Sequence, residues 1–178
     1  HWLYRLPLSW RARVLRLGFN WHPAYRTSGG RVDYVAPDLS RMRVRLRLTW
    51  RTRNVVGTLF GGSLFAVTDG PHPTLLMAAL GPEVVIWDQE ASIRYRAPGR
   101  TTLYADFVIT AEEVALVRAL LARDGETRRS YQVELKDGEG QVHTVVERTV
   151  YIANKAYYKR KLAGGVIPCS RSAMQSSS

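Results

Sequence analysis

At 178 residues and 46% hydrophobic content, the chain is sized for one globular domain with a substantial core, and general disorder is excluded. Its longest strongly apolar stretches, residues 64–67 and 75–80, fall far short of the roughly 20 residues that cross a bilayer, so no transmembrane helix is expected. The formal charge of +11 belongs to the two ends: residues 1–60 hold 12 arginines against 2 acidic residues, and residues 151–178 hold 5 basic residues and no acidic one. That balance favours a polyanionic or phosphate-bearing partner, whether nucleic acid, an anionic membrane surface or a phosphorylated cofactor.

The first residue is His1, which leaves a preceding segment open, a signal peptide included. The single cysteine, Cys169, permits no internal disulfide; this suits a reducing cytoplasm, the expected location, and equally a secreted protein without bridges. Residues 1–18 read as a basic amphipathic helix. Ser9 is placed to cap it, Trp10, Val14 and Leu17 recur at helical spacing, Arg11, Arg13 and Arg16 fill the other sides, and Gly18 supplies a stop. Packing on the domain edge is the expected role, with the Trp2, Tyr4 and Trp10 cluster keeping a membrane surface in view.

From Arg41 the chain alternates. Met42, Val44, Leu46, Leu48 and Trp50 fall on one side and Arg41, Arg43, Arg45, Arg47 and Arg51 on the other, which predicts a half-buried strand. The arginine face requires acidic neighbours on adjacent strands, with Glu134, Asp106 and Glu147 as candidates. Further strands are predicted over 84–95, 102–109, 130–135 and 141–152, with turns at Pro98-Gly99 and at Asp137-Gly138 with Gly140. Thr110 and Glu113 form a capping box opening a helix over 111–123 that closes at Asp124-Gly125. Residues 164–178 read as a disordered tail. The architecture is α+β: a long, mostly antiparallel sheet with one apolar helix against it.

Residues 54–69 carry the candidate chemistry. Gly61 and Gly62 leave the first amides of the central helix unobstructed where its dipole favours negative charge, a ready oxyanion site. Asp69 follows in an apolar helix that reads as buried, and an unpaired buried carboxylate requires a partner or a purpose. Pro71 and Pro73 break the helix beside it. Pairing with an arginine or a backbone amide is the plain alternative to catalysis. His72 could face Asp69, although a structural or substrate-lining role is favoured between two prolines. Ser63 lacks the Gly-x-Ser-x-Gly frame and an adjacent histidine, which rules out a serine hydrolase. His1, His22 and His143 lack metal-ligand spacing, so no metal site is expected.

Asn54, Gly57, Gly61-Gly62 and Asp69 resemble the signature of the hotdog-fold thioesterase superfamily. Phe60-Gly61-Gly62-Ser63-Leu64, Thr68-Asp69, Val85-Ile86-Trp87-Asp88 and Ala91-Ser92-Ile93-Arg94 look like an uncharacterised branch related to tetrameric acyl-CoA thioesterases, over residues 19–152. The resemblance implies a hotdog domain over 19–163, wrapped around one central helix. It makes Asp69 the nucleophile or general base against a thioester and the amides of Gly61 and Gly62 the oxyanion donors. Asn54 would position the loop or water, Phe60, Thr58 and His72 would line the substrate, and Arg94, Arg96 and Arg100 would meet the phosphates of coenzyme A. Coenzyme A enters only as part of the substrate, with no separate cofactor. Phe60 stands where the better characterised relatives have histidine, which removes a hydrogen-bond donor.

On a continuous helix Gly61 and Asp69 lie about 12 Å apart, whereas attack and oxyanion stabilisation converge within about 3 Å of one carbonyl. Two copies are therefore expected to complete the site as a C2 dimer, alone or in a dimer of dimers. The rival expectations are a non-catalytic acyl-CoA or lipid binder on the same fold and, last, a basic protein that binds nucleic acid or a membrane surface, since no aromatics interleave with the arginine stripe.

Overall fold

The computed structural model describes residues 6–165, apart from the side chains of Leu8 and Ser9. The predicted disorder over 164–178 falls almost wholly outside them. Within these residues lie six helices and six strands: α1 Leu8–Trp21, α2 Pro23–Thr27, β1 Gly30–Val35, β2 Arg41–Leu46, α3 Gly61–Ala66, α4 Pro71–Leu80, β3 Val84–Tyr95, β4 Leu103–Val108, α5 Ala111–Asp124, β5 Glu126–Lys136, β6 Val142–Asn154 and α6 Lys155–Ala163. The strands form one antiparallel sheet in the order β1-β2-β4-β5-β6-β3. The core lies where α4 and α1 meet the sheet. Leu75 and Leu76 of α4 are fully buried among Met42, Val44, Phe107 and Val146, sites where truncation to alanine costs about 2–5 kcal/mol.

α1 begins at Leu8, with Pro7 rather than Ser9 at the cap, and runs past Gly18 to Trp21. Pro23 stops it instead, because the residue before a proline is held extended, as His22 is. The boundary expected at residues 18 and 19 therefore falls inside a helix. Ala12 belongs to the core and α1 packs on β1, so this helix is part of the domain. Trp10, Leu17 and Trp21 remain exposed on its outer side.

Three elements are absent from the sequence expectation: the short α2, β1 and α6. In β1, Val32 and Val35 both face inward although three residues apart, because the register shifts between Val32 and Tyr34. The bulge destroys the period-two signal that reveals a strand. α6 folds back so that Tyr158 meets Trp87, which packs on Tyr151. Tyr151 donates to Glu126, and Lys161 holds the same carboxylate at 2.7 Å.

β2 is shorter than its alternation suggests. Thr52 donates to the carbonyl of Arg47 at 2.6 Å and accepts from the Thr49 amide, which turns the chain away and leaves Trp50 77% exposed instead of buried. Asp106 takes Arg41 and Arg43, each at 2.9 Å, while Asp33 on β1 takes Arg45. Glu134 pairs with Lys136 instead, and Glu147 is exposed. Such surface pairs contribute little stability each, but they occupy Arg41, Arg43 and Arg45, three of the arginines that an anion track would use. Thr110 accepts from the Glu113 amide as predicted, whereas the Glu113 side chain turns to Arg129 and Tyr131.

Candidate active site

The loop before α3 is organised by Asn54. Its side-chain oxygen accepts from the amides of Val56 and Thr58, its amide group donates to the Thr58 hydroxyl at 2.9 Å, and its backbone pairs with Thr58. Gly57 has a φ of 84°, a left-handed conformation that favours glycine. The side-chain oxygen and amide group of Asn54 and the hydroxyl of Thr58 thus all bond within the loop. The loop is anchored where Leu59 donates to the carbonyl of Gly99 and Phe60 to that of Thr52, each at 2.8 Å.

α3 starts at Gly61 without a side-chain cap, leaving its first amides without partners in their own helix. Phe60 is 55% exposed and folds its ring over Gly62, where an added Cβ would lie 2.3 Å from the ring. The Tyr95 hydroxyl, at 3.3 Å from the carbonyl of Gly61, closes on the other glycine. Each glycine thus lies directly beneath an aromatic group at the opening of the helix. The Tyr95 and Gly99 contacts bring the segment carrying Arg94, Arg96 and Arg100 against this end of α3. All three arginines are exposed, and none is in an ion pair among the described residues.

The other end of α3 is closed. The chain breaks at residues 67–70, with Gly70 at a φ of 94° and Pro71 opening α4, where the two prolines predict a break. Thr68 donates both its amide and its hydroxyl to the Phe65 carbonyl, which also accepts from Arg148 at 3.1 Å. The Tyr25 hydroxyl donates to the Val67 carbonyl at 3.0 Å. Burial, then nearby Asp69, push the Tyr25 phenol well above its ordinary range.

Arg148 is 4% exposed in its side chain and holds Asp88 at 2.8 Å, with Thr68 at 3.1 Å. It also stacks on Phe65 and approaches Asp69 at 3.8 Å. Asp88 titrates above the usual carboxylate range: burial raises it, Arg148 opposes this, and the neighbouring Asp69 carboxylate raises it further. One Asp88 oxygen is buried and unpartnered among the described residues. Asp69 is 70% exposed, not buried as expected, because the break swings its side chain out of the helix–sheet layer. Its nearest cation is Arg148.

Asp69 lines a cavity of about 950 Å³ between α1 and α2 on one side and the α3–α4 break on the other. His72 is elsewhere: it is buried, stacked on Tyr131 at 4.8 Å and edge-on to Phe107, so its contacts are with the sheet rather than Asp69. Burial, then the Arg148 charge, lower its pKa to about 4.

Arg148 and Asp88 are the site residues that sequence reasoning missed, although a signal exists. Arg148 occupies an inward position of β6 between Val146 and Val150, which are fully buried. Asp88 shares the inward phase of Val84 and Ile86, ahead of a register shift between Asp88 and Glu90 that returns Ile93 to the inside. A charged residue in the apolar phase of a strand is the mark to look for.

The sequence over residues 11–152 matches the family model described as Domain of unknown function (DUF4442). No protein of curated function matches it. Among solved structures, it is similar to a protein of unknown function and probable thioesterase from Pseudomonas aeruginosa, at 18% identity and a TM-score of 0.71 over 80% of this chain and 95% of that one. A thioesterase from Haemophilus influenzae aligns at 13% identity and a TM-score of 0.61 over 81% and 91% of the two chains. A protein of unknown function from Chlorobaculum tepidum aligns at 18% identity and 0.60, over 80% and 93%. At these identities the likeness establishes the hotdog fold. With the family model spanning the sheet, the helix break and the cluster around Arg148, this chain belongs to the DUF4442 family.

Proposed function

We propose that the protein hydrolyses acyl thioesters of the acyl-CoA type. The observation that carries this reading is the position of Asp69, an exposed carboxylate at the helix break that forms part of the wall of an apolar cavity. Asp69 takes a proton from water, the water oxygen adds to the thioester carbonyl, and the tetrahedral oxyanion is met by the Gly61 amide, with Gly62 beside it. The C–S bond then breaks, the sulfur leaves as thiol after protonation, and the acyl group leaves as a carboxylic acid. Direct attack by the carboxylate, followed by hydrolysis of the anhydride, uses the same residues. Arg94, Arg96 and Arg100 supply positive charge beside Gly61 for the phosphates of coenzyme A.

The site needs a second copy. Six residues of α3 place about 9 Å of helix between its glycine end and the turn holding Asp69, too far for both to reach one carbonyl. The 12-residue strand β3 ends the sheet with an unpaired edge, which suits antiparallel pairing with its copy. Trp50, Val55, Val56, Phe60 and Tyr95 are exposed around the same end of α3, apolar area that a partner subunit would cover.

A panel of acyl-CoA thioesters with Asp69→Asn as control tests the reading. Free thiol is expected from the parent protein and at least about 100-fold less from the variant, with a dimer or tetramer in sedimentation. Unchanged turnover in Asp69→Asn removes the role given to that residue, and an active monomer removes the shared site. The second reading, a non-catalytic acyl-CoA or lipid binder, draws on Phe60, whose ring covers Gly62 without offering a polar atom. Binding without thiol release selects it.

A further inference from the structure

The cavity beside Asp69 has a composition that narrows what it can hold. Leu15 and Phe19 of α1 face Ala66, Met77 and Ala78 across it, with Asp69 on the same wall as Ala66. Tyr25 borders it too, and its hydroxyl donates to the Val67 carbonyl. Thr74, His22 and Lys155 also border it, but apolar side chains make up most of the wall, so a polar group carried along that wall would lose water with few partners to gain. The volume, about 950 Å³, stands at the upper end of the range of about 300–1,000 Å³ for small-molecule sites, far more than a two-carbon acyl group fills.

We propose that this cavity is a binding site for an unbranched aliphatic chain of medium to long length, and that α1 is its specificity-determining wall. The ligand class is a fatty acyl group rather than a short one. The site is built within one protomer, so chain-length selection belongs to each subunit even where catalysis is shared. The proposal rests on the hydrolase reading in one respect, the placing of the thioester carbonyl at the Asp69 end.

Gly18 supplies the test. It borders the cavity, and a Cβ added there meets no atom within 4 Å, so a substituent starts in open space; leucine also favours helix over glycine. Ala78→Leu fills the space from the opposite side. Displacement of anilinonaphthalene sulfonate by primary alkanols, butanol through dodecanol, reads occupancy with no coenzyme A and no chemistry. Each added methylene is expected to tighten binding about fourfold until the cavity is full. Gly18→Leu is expected to weaken dodecanol at least tenfold more than hexanol at a melting temperature no lower than the parent's, with Ala78→Leu weakening dodecanol in the same way.

Affinity independent of chain length, benzyl alcohol binding as tightly as dodecanol, or variants that stay folded and change nothing would overturn the proposal. A parallel series of butanoyl to dodecanoyl thioesters separates the two readings. Length-dependent alkanol binding without thioester cleavage keeps the site and removes the hydrolase; cleavage indifferent to chain length and to both variants does the reverse.

Discussion

The two ends of α3 are built in opposite ways. At its C-terminal end the chain supplies donors to its exposed carbonyls: Thr68 and Arg148 meet Phe65, and Tyr25 meets Val67. At its N-terminal end there is no side-chain cap, and the surrounding groups are exposed aromatics and arginines. One end is finished by the fold. The other presents donors outward, which is what a site completed by a ligand or a second copy requires. The closed end should therefore govern stability, and the open end function.

The largest effect expected from this contrast is at Arg148. Replacement by methionine strands the buried Asp88 carboxylate without its donor and leaves the Phe65 carbonyl to Thr68 alone, which should cost about 3–5 kcal/mol in denaturant unfolding. Adding Asp88→Leu should recover part of the loss, because the stranded charge is gone. A loss below about 1 kcal/mol in the single variant would mean that the closed end does not depend on the arginine.

Next comes the acid limb of stability. His72 is held neutral, its pKa lowered from 6.5 to about 4 by burial and then by the Arg148 charge. The unfolded imidazole binds a proton below its ordinary pKa while the folded one does not, so this contribution is complete above pH 6.5 and is lost as the pH falls toward 4. Converted at about 1.4 kcal/mol per unit, the loss is up to about 3 kcal/mol. His72→Phe, which keeps the ring contacts with Tyr131 and Phe107, should flatten the stability profile across that window. A profile of unchanged slope would remove His72 from the account.

Tyr25→Phe removes the donor to the Val67 carbonyl and should cost about 1–2 kcal/mol. The smallest effect on stability is expected at the open end. In Gly62→Ala the new methyl group collides with the Phe60 ring, but that ring is free to swing outward, so stability should change by less than about 0.5 kcal/mol. Thioester turnover should nonetheless fall roughly tenfold or more, as small displacements at reacting centres do. A large loss of stability with turnover intact would reverse the contrast between the ends.

The sequence made the open end legible and the closed end largely illegible. Gly61, Gly62 and Asn54 at the open end are local signals, each with a conformational reason readable in isolation; at the closed end only the break at the proline pair is of that kind. Arg148, Asp88 and Tyr25 reach α3 from separate elements, and their meeting depends on sheet order and on bulges that leave no compositional trace. The same cause hid β1, where Val32 and Val35 share a face only because the register shifts between them. Asp69 was correctly placed beside a break, yet its exposure was not foreseen, since periodicity cannot say which way a turn throws its side chain.

The shift in β3 constrains how the gene can vary. Before Gln89 the strand sends Asp88 inward to Arg148; after it, Ile93 points to the same side. Deleting one codon there would restore uniform alternation and force a choice between the ion pair and the apolar contact, whereas Glu139, exposed at the tip of the turn that Asp137 holds between β5 and β6, should accept replacement freely. Length is fixed inside this strand more tightly than residue identity is fixed at that turn tip.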